Sequence, residues 1–259
     1  MIPRCFVEPA LWDNAHLRLQ DDDSHHLADV LRKGVGDTVV VCDGRGGEAL
    51  CRIAGVSAGG SVTVEVLERR HQPADMVLVT LVQAIPKSQK MEWIIQKATE
   101  IGVWRIMPVL TDRGVVQLTG ERAEHRVERW RRIAAEAARQ CRTAWIPQVA
   151  PIADLKRLLA TGLGQDLLLV GSLEPDAVCM KGFLRATAEE PPRTAALLIG
   201  PEGDFSPEEL KAARGAGAVP VSYGTRVLRV ETAALYGLSV LAYEFDGRGR
   251  NHVPAVPAS

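Results

Sequence analysis

From residue 77 onward the chain alternates short, wholly apolar runs with longer stretches of helical periodicity. No other feature constrains its fold as strongly. Segments 77–84, 105–110, 166–170, 195–199 and 219–222 are dominated by aliphatic and β-branched residues. Runs that short, without polar alternation, read as strands covered on both faces. Between them, 89–101 places Met91, Ile94, Ile95, Ala98 and Ile101 on one helical face and meets a stop at Gly102. Segment 121–141 sets Val127, Trp130, Ile133, Ala134, Ala137 and Cys141 at helical spacing. Such alternation predicts an α/β domain: a parallel sheet with helices on both faces.

The first seventy or so residues follow another pattern. Val39 to Cys42 run into Asp43-Gly44-Arg45-Gly46-Gly47, and two further strand-like runs, 49–56 and 61–67, flank Ala58-Gly59-Gly60. Short strands between Gly-rich turns predict a small barrel. One short helix is expected ahead of it, over 24–32, with Ser24 as its cap. The polar stretch Arg69-Arg70-His71-Gln72-Pro73 marks the expected boundary, giving a domain over 1–72 and a second over 73–246. The Gly- and Pro-rich remainder, 247–259, is expected to be a disordered tail.

Composition narrows the function classes. With 46% apolar residues the chain can bury a large core. Five cysteines without a Cys-x-x-Cys pair argue against a disulfide framework or a zinc site, and no metal is expected. The adjacent His25 and His26 point different ways on a helix and lack a third ligand. No apolar leader and no run of ~18 apolar residues is visible, so a soluble cytoplasmic protein without a membrane partner is expected. Net charge is −1, but 87–142 holds twelve Lys/Arg against seven Asp/Glu, whereas 1–71 holds eight against eleven. That local excess suits either phosphate contact or a solvated, ion-paired helix face.

Two loops carry the chemistry. The first, Gly200-Pro201-Glu202-Gly203-Asp204-Phe205, follows a buried run; Ser206 then caps a helix, with Pro207 at its first position and Glu209 completing a capping box. The second, Tyr223-Gly224-Thr225-Arg226-Val227-Leu228-Arg229-Val230-Glu231, is apolar enough to be buried yet holds two Arg and a Glu before an apolar helix over 232–244. Buried charge is costly unless paired or used. Glu231 suits a helix-capping carboxylate paired with Arg229 or Arg226, a catalytic group, or both. Loops at the C-terminal ends of parallel strands are where open α/β sheets bind ligands. The chain lacks the Gly-x-Gly-x-x-Gly dinucleotide fingerprint, a Gly-Lys-Ser/Thr phosphate loop and a Gly-x-Ser-x-Gly nucleophile turn.

These phrases resemble signatures of the 16S ribosomal RNA (uracil-N3)-methyltransferases of the SPOUT superfamily. The resemblance rests on residues 198–206 and on Arg226-Val227-Leu228-Arg229-x-Glu231-Thr232-Ala233. Lys87-x-x-Lys90-x-Glu92 through Val103, Glu136-Ala137-Ala138-x-Gln140-Cys141, and Ser24-x-His26-Leu27-x-x-Val30-Leu31-Arg32 extend it over nearly the whole chain. It implies a PUA-like β-barrel followed by an α/β-knot domain, a trefoil-knotted parallel sheet, which no periodicity or spacing reveals. It further implies a homodimer that acts on the small ribosomal subunit, with S-adenosyl-L-methionine as cofactor. Carried over, Ile199, Gly200, Pro201, Glu202, Gly203, Tyr223, Gly224, Val227 and Leu228 would hold that cofactor. Arg229 and Glu231 would serve the chemistry, and Arg32, Lys90, Arg139 and Arg142 would bind RNA. Thr143 stands where many members have Arg, and Arg139 where many have Glu, with Arg142 placed to supply the missing cation. Methylation of another rRNA base or ribose, or a non-catalytic role in ribosome assembly, are the alternative functions.

Overall fold

The computed structural model describes residues 2–57, 59–114, 118–187 and 190–246; the expected tail, 247–259, lies outside them. The chain divides into two units. The first comprises Met1–Ala74 and Ala135–Ile146, the second Asp75–Ala134 and Pro147–Ser259. A segment expected inside one continuous second domain thus belongs to the first unit.

In the first unit, β1 (Arg4–Phe6), β2 (His16–Arg18), β3 (Thr38–Cys42), β4 (Gly47–Val56) and β5 (Val62–His71) form one sheet in the order β1-β3-β4-β5-β2. All its pairings are antiparallel except β1 with β3. Alternate side chains Val39, Val41, Ala49, Cys51, Ile53, Val62 and Val64 point inward and are fully buried with Leu17, Leu19 and Leu27. The expected helix is α1 (Asp21–His25), continued by a wider turn over His26–Val30. Ser24 does not cap it. Its hydroxyl is buried inside the helix, donating to the Leu19 carbonyl at 3.4 Å and accepting the Val62 amide at 3.1 Å, so it ties helix to sheet instead.

The expected boundary at Arg69–His71 is also revised, because these residues continue β5. Arg70 lies opposite Glu48 on β4 and pairs with its carboxylate, and the Arg69 guanidinium donates to the Trp12 and Asn14 carbonyls at 2.8 Å. Their charges sit at the sheet's exposed end, where polarity does not break a strand. Ala135–Ile146 packs Ala138 and Ala144 against Phe6 and Cys42, and Ala144 donates its amide to Gln72 Oε1 at 2.9 Å. All five cysteines are free; burial pushes the Cys42 thiol up to about 12 and Cys51 to about 11.

The second unit holds the predicted alternation. Its elements are β6 (Leu78–Ala84), α2 (Lys90–Ile101), β7 (Arg105–Leu110), α3 (Gly120–Cys141), β8 (Gln148–Val149), β9 (Ala153–Asp154), α4 (Leu155–Thr161), β10 (Leu167–Gly171), β11 (Val178–Cys179), α5 (Met180–Thr187), β12 (Thr194–Ile199), α6 (Pro207–Gly215), β13 (Val219–Ser222) and α7 (Val230–Asp246). The sheet order is β11-β13-β10-β12-β6-β7-β8, with β9 also on β7, and every pairing is parallel. Continuous apolar sequence follows from burial on both faces: Ala195, Ala196, Leu197 and Leu198 of β12 are all 0% exposed. The short elements β8, β9 and β11 and helices α4 and α5 left no sequence pattern long enough to read.

Helix α2 ends where the sequence placed its stop. Gly102 takes φ 101°, and Val103 donates its amide back to the Ala98 carbonyl at 3.0 Å. Helix α3 ends in the same way, with Thr143 donating to Ala138 at 3.2 Å, but its left-handed residue is Arg142 at φ 63°. The last turns of α3, from Ala135, belong to the first unit.

Candidate functional site

A cavity of about 390 Å³ opens at the C-terminal ends of three neighbouring strands, β13, β10 and β12. Parallel strands present their loops at one edge, and there the loops after β12 and β13 face each other. Ile199, Gly200, Pro201 and Glu202 line it from the first loop; Tyr223, Gly224, Val227, Leu228 and Arg229 line it from the second. Of the nine residues expected around a cofactor, only Gly203 is not in the lining. Its carbonyl instead accepts from the Arg113 guanidinium at 3.0 Å. Gly224 turns the second loop at φ 117°, a backbone conformation that side chains disfavour.

The first loop is held from below. Ser206 accepts the Glu209 amide and Glu209 accepts the Ser206 amide, the predicted capping box. Ser206 also donates to Asp112 at 2.8 Å, and the Asp112 amide donates to Glu209 at 2.8 Å. Hydrogen bonds from Lys156 and Ser206 hold the Asp112 carboxyl below its usual value. Arg113 reaches the carbonyls of both Gly203 and Phe205. The segment after β7 thus clamps the loop after β12, a relation that no local motif announces.

The second loop departs from expectation. Residues 224–227 and Arg229 are exposed, and Val227 is 76% exposed. The loop forms the rim of the cavity rather than part of the core, so its charges need no buried partner. The guanidinium groups of Arg226 and Arg229 have no partner among the described residues. Glu231 lies in the first turn of α7, as expected for a carboxylate near a helix N-terminus. Its ion pair is with neither arginine. It is Lys90, at 3.3 Å.

Lys90, expected on RNA, is therefore placed in the cavity wall. Its ammonium also donates to Glu202 at 3.2 Å. These hydrogen bonds and charges, Glu202 first, hold Lys90 above its usual value against partial desolvation. Burial pushes Glu202 up, but backbone amides and Lys90 outweigh it and hold its carboxyl low. Burial raises Asp204, which also lines the cavity. Arg32, Arg139 and Arg142 fall in the first unit. Arg139 is ion-paired with the buried Asp23 at 2.9 Å, while Arg32 and Arg142 are exposed at left-handed backbone positions.

Sequence reasoning missed Gly171, Ser172 and Leu173, which line the cavity from the end of β10. The signal was present: Leu167 to Val170 is another buried run ending in Gly. It also missed Gln83, fully buried on β6 opposite Ile199, with its side-chain oxygen unpartnered among the described residues.

The cavity's size and chemistry suit a small zwitterion carrying an extra positive charge. Pockets for such ligands run from roughly 300 to 1,000 Å³. Carboxylates of Glu202 and Asp204, cations of Arg226 and Arg229, and apolar Ile199, Leu173 and Leu228 share one lining. S-adenosylmethionine has the matching parts: a sulfonium, an amino-acid end and an adenine ring.

Comparison with known proteins points the same way. Residues 73–242 match the family described as RNA methyltransferase domain, and residues 19–67 match the RNA methyltransferase PUA domain. The chain is 33% identical to ribosomal RNA small subunit methyltransferase E of Bacillus subtilis, over 87% of this chain and 89% of that one. It is 32% identical to the protein of that name from Mycobacterium bovis, over 93% and 92%. Among solved structures, a methyltransferase of Legionella pneumophila with bound S-adenosylmethionine superposes with a TM-score of 0.83 at 29% identity, over 94% and 98% of the two chains. Ribosomal RNA small subunit methyltransferase E of Neisseria gonorrhoeae, bound to S-adenosylmethionine, gives 0.81 at 26% identity with the same coverage.

Proposed function

We propose, from the premise that this chain belongs to the ribosomal RNA small subunit methyltransferase E family, that it transfers a methyl group from S-adenosylmethionine to N3 of a uridine in 16S ribosomal RNA. One observation carries the reading: two loops at the ends of adjacent parallel strands enclose a cavity that sets carboxylates and unpaired arginines beside apolar wall. The donor, when bound, supplies an electrophilic methyl carbon, so this chain's residues have to align more than activate.

Uracil N3 is a weak nucleophile while it carries its proton. A carboxylate that takes this proton, or cations that stabilise the charge spreading onto the ring oxygens, lower the barrier. Glu231 is the candidate for the first task, held at the cavity by Lys90. Arg229, exposed on the rim with its guanidinium unpartnered among the described residues, is the candidate for the second. N3 lies on the Watson–Crick edge, so the target base has to be unpaired or flipped out.

RNA phosphates would meet the exposed Arg122, Arg126 and Arg132 of α3, together with Arg32 and Arg142; Arg139 is already committed to Asp23. The partner is read as the small ribosomal subunit in assembled form, in the cytoplasm. No helix among the described residues is long and apolar enough to cross a membrane. Homodimerisation and a trefoil threading of the chain near α7 complete the reading, as does the division into a PUA-like domain over 1–72 and a methyltransferase domain over 73–246.

Mass spectrometry of 16S rRNA from a strain lacking the gene, with and without its restoration, tests the product. Loss and recovery of a single N3-methyluridine is expected; a missing methyl on another base or on a ribose overturns the assignment. Glu231→Gln is expected to keep affinity for S-adenosylhomocysteine within a few-fold and to lower turnover by ~10²-fold or more. Unchanged turnover removes Glu231 from the mechanism.

A further inference from the structure

Lys90 is the first residue of α2, and the turn that delivers it is tightly set: Ser88 takes φ 63° and the Lys87 amide donates to Glu202 at 3.2 Å. The Lys90 ammonium sits within 3.3 Å of two carboxylates from two different loops, Glu202 of the first and Glu231 of the second. The triad carries one net negative charge, so Lys90 offers no uncompensated positive charge to an RNA phosphate. Remove it, and the two carboxylates at the cavity are left to repel each other at an effective dielectric well below that of water.

We propose that Lys90 is a positioning residue of the methyl-transfer reaction, bridging Glu202 and Glu231 so that the first loop and the carboxylate of α7 keep one fixed relation. The inference rests on the reading of Glu231 given above. It assigns Lys90 to the catalytic side of the protein rather than to the RNA. Through Glu202 the ammonium acts on the loop that would hold the donor; through Glu231 it acts on the proton of the uracil ring. Neither action requires Lys90 to touch substrate. A bridge of this kind needs the charge and reach of the side chain but not its shape, so arginine serves in part and methionine does not.

The test is a double-mutant cycle with two further readouts. Lys90→Met is expected to lower kcat by about 10- to 100-fold, the cost of a displaced catalytic group. Lys90→Arg is expected to recover most of that loss. Lys90→Met/Glu231→Gln is expected to turn over no more slowly than Glu231→Gln alone, because the second substitution removes what Lys90 positions. Calorimetry should show S-adenosylhomocysteine binding several-fold weaker in Lys90→Met, the loosened first loop being read without turnover. Binding to small subunits should keep the wild-type salt dependence in Lys90→Met, whereas Arg122→Ala/Arg126→Ala flattens it.

A slope in Lys90→Met shallower by about 0.7 to 0.9, the signature of one lost phosphate contact, overturns the proposal and returns Lys90 to the RNA. So do additive losses in the cycle when each single variant is impaired. Full turnover in Glu231→Gln alone overturns the reading of Glu231 itself, so the two failures are told apart.

Discussion

Arg142 occupies a place where helices ordinarily put glycine. It closes α3 at φ 63°, just as Gly102 closes α2 at φ 101°, and both ends make the same backward amide bond. A left-handed residue with a Cβ costs roughly 1–2 kcal/mol, which glycine avoids. Arg142→Gly is therefore expected to raise stability by up to about 1 kcal/mol in thermal or urea unfolding. The same variant should weaken binding to small subunits, since the exposed guanidinium is lost. A gain in stability with no loss of binding would remove Arg142 from the RNA surface. The strain identifies a side chain retained at a cost to the backbone, a signal that sequence spacing alone does not carry.

Helix α6 was readable in full because every determinant of it is local. Ser206, Pro207 and Glu209 lie within four residues, and their capping bonds are all present. What the sequence could not reveal is the second use of that cap, in which Ser206 donates to Asp112 and Glu209 accepts the Asp112 amide from across the unit. Ser206→Ala removes both roles. Loss of the cap alone costs ~1 kcal/mol in stability. Because the same hydroxyl ties the first loop to the segment after β7, affinity for S-adenosylhomocysteine is expected to fall as well, measured by calorimetry. A stability loss with full affinity would show that the loop holds its shape without Asp112. Helix α1 shows the opposite lesson. Ser24 looks like a cap in sequence, yet long-range bonding to Val62 decides its place.

At the scale of the whole molecule, pH reports on one buried charge in particular. Asp23 is 4% exposed, and burial raises its carboxyl above the usual 3.8 despite Arg139, the Phe6 amide and His26. A carboxyl raised in the folded state binds its proton more tightly there than in the unfolded chain. Its contribution to stability is thus largest below the unfolded value and declines as pH rises through the folded one. Carboxylates held low, such as Glu48 and Asp112, act in the other direction and lose their contribution on acidification. The difference in unfolding free energy between wild type and Asp23→Asn is expected to fall as pH rises from about 4 towards neutrality; a difference that grows instead would mean that Arg139 outweighs burial. The strands of the large sheet, the helices α2, α3, α6 and α7, and the loops of the site were legible in the sequence because hydrophobic period, caps and glycines act over a few residues. Tertiary structure alone decided that Ala135–Ile146 completes the first unit, that the second loop is an exposed rim, and that Glu231 meets Lys90 rather than an arginine. Partners remote in sequence are chosen by the packing of whole elements, and no local pattern encodes which distant side chain a given charge will meet.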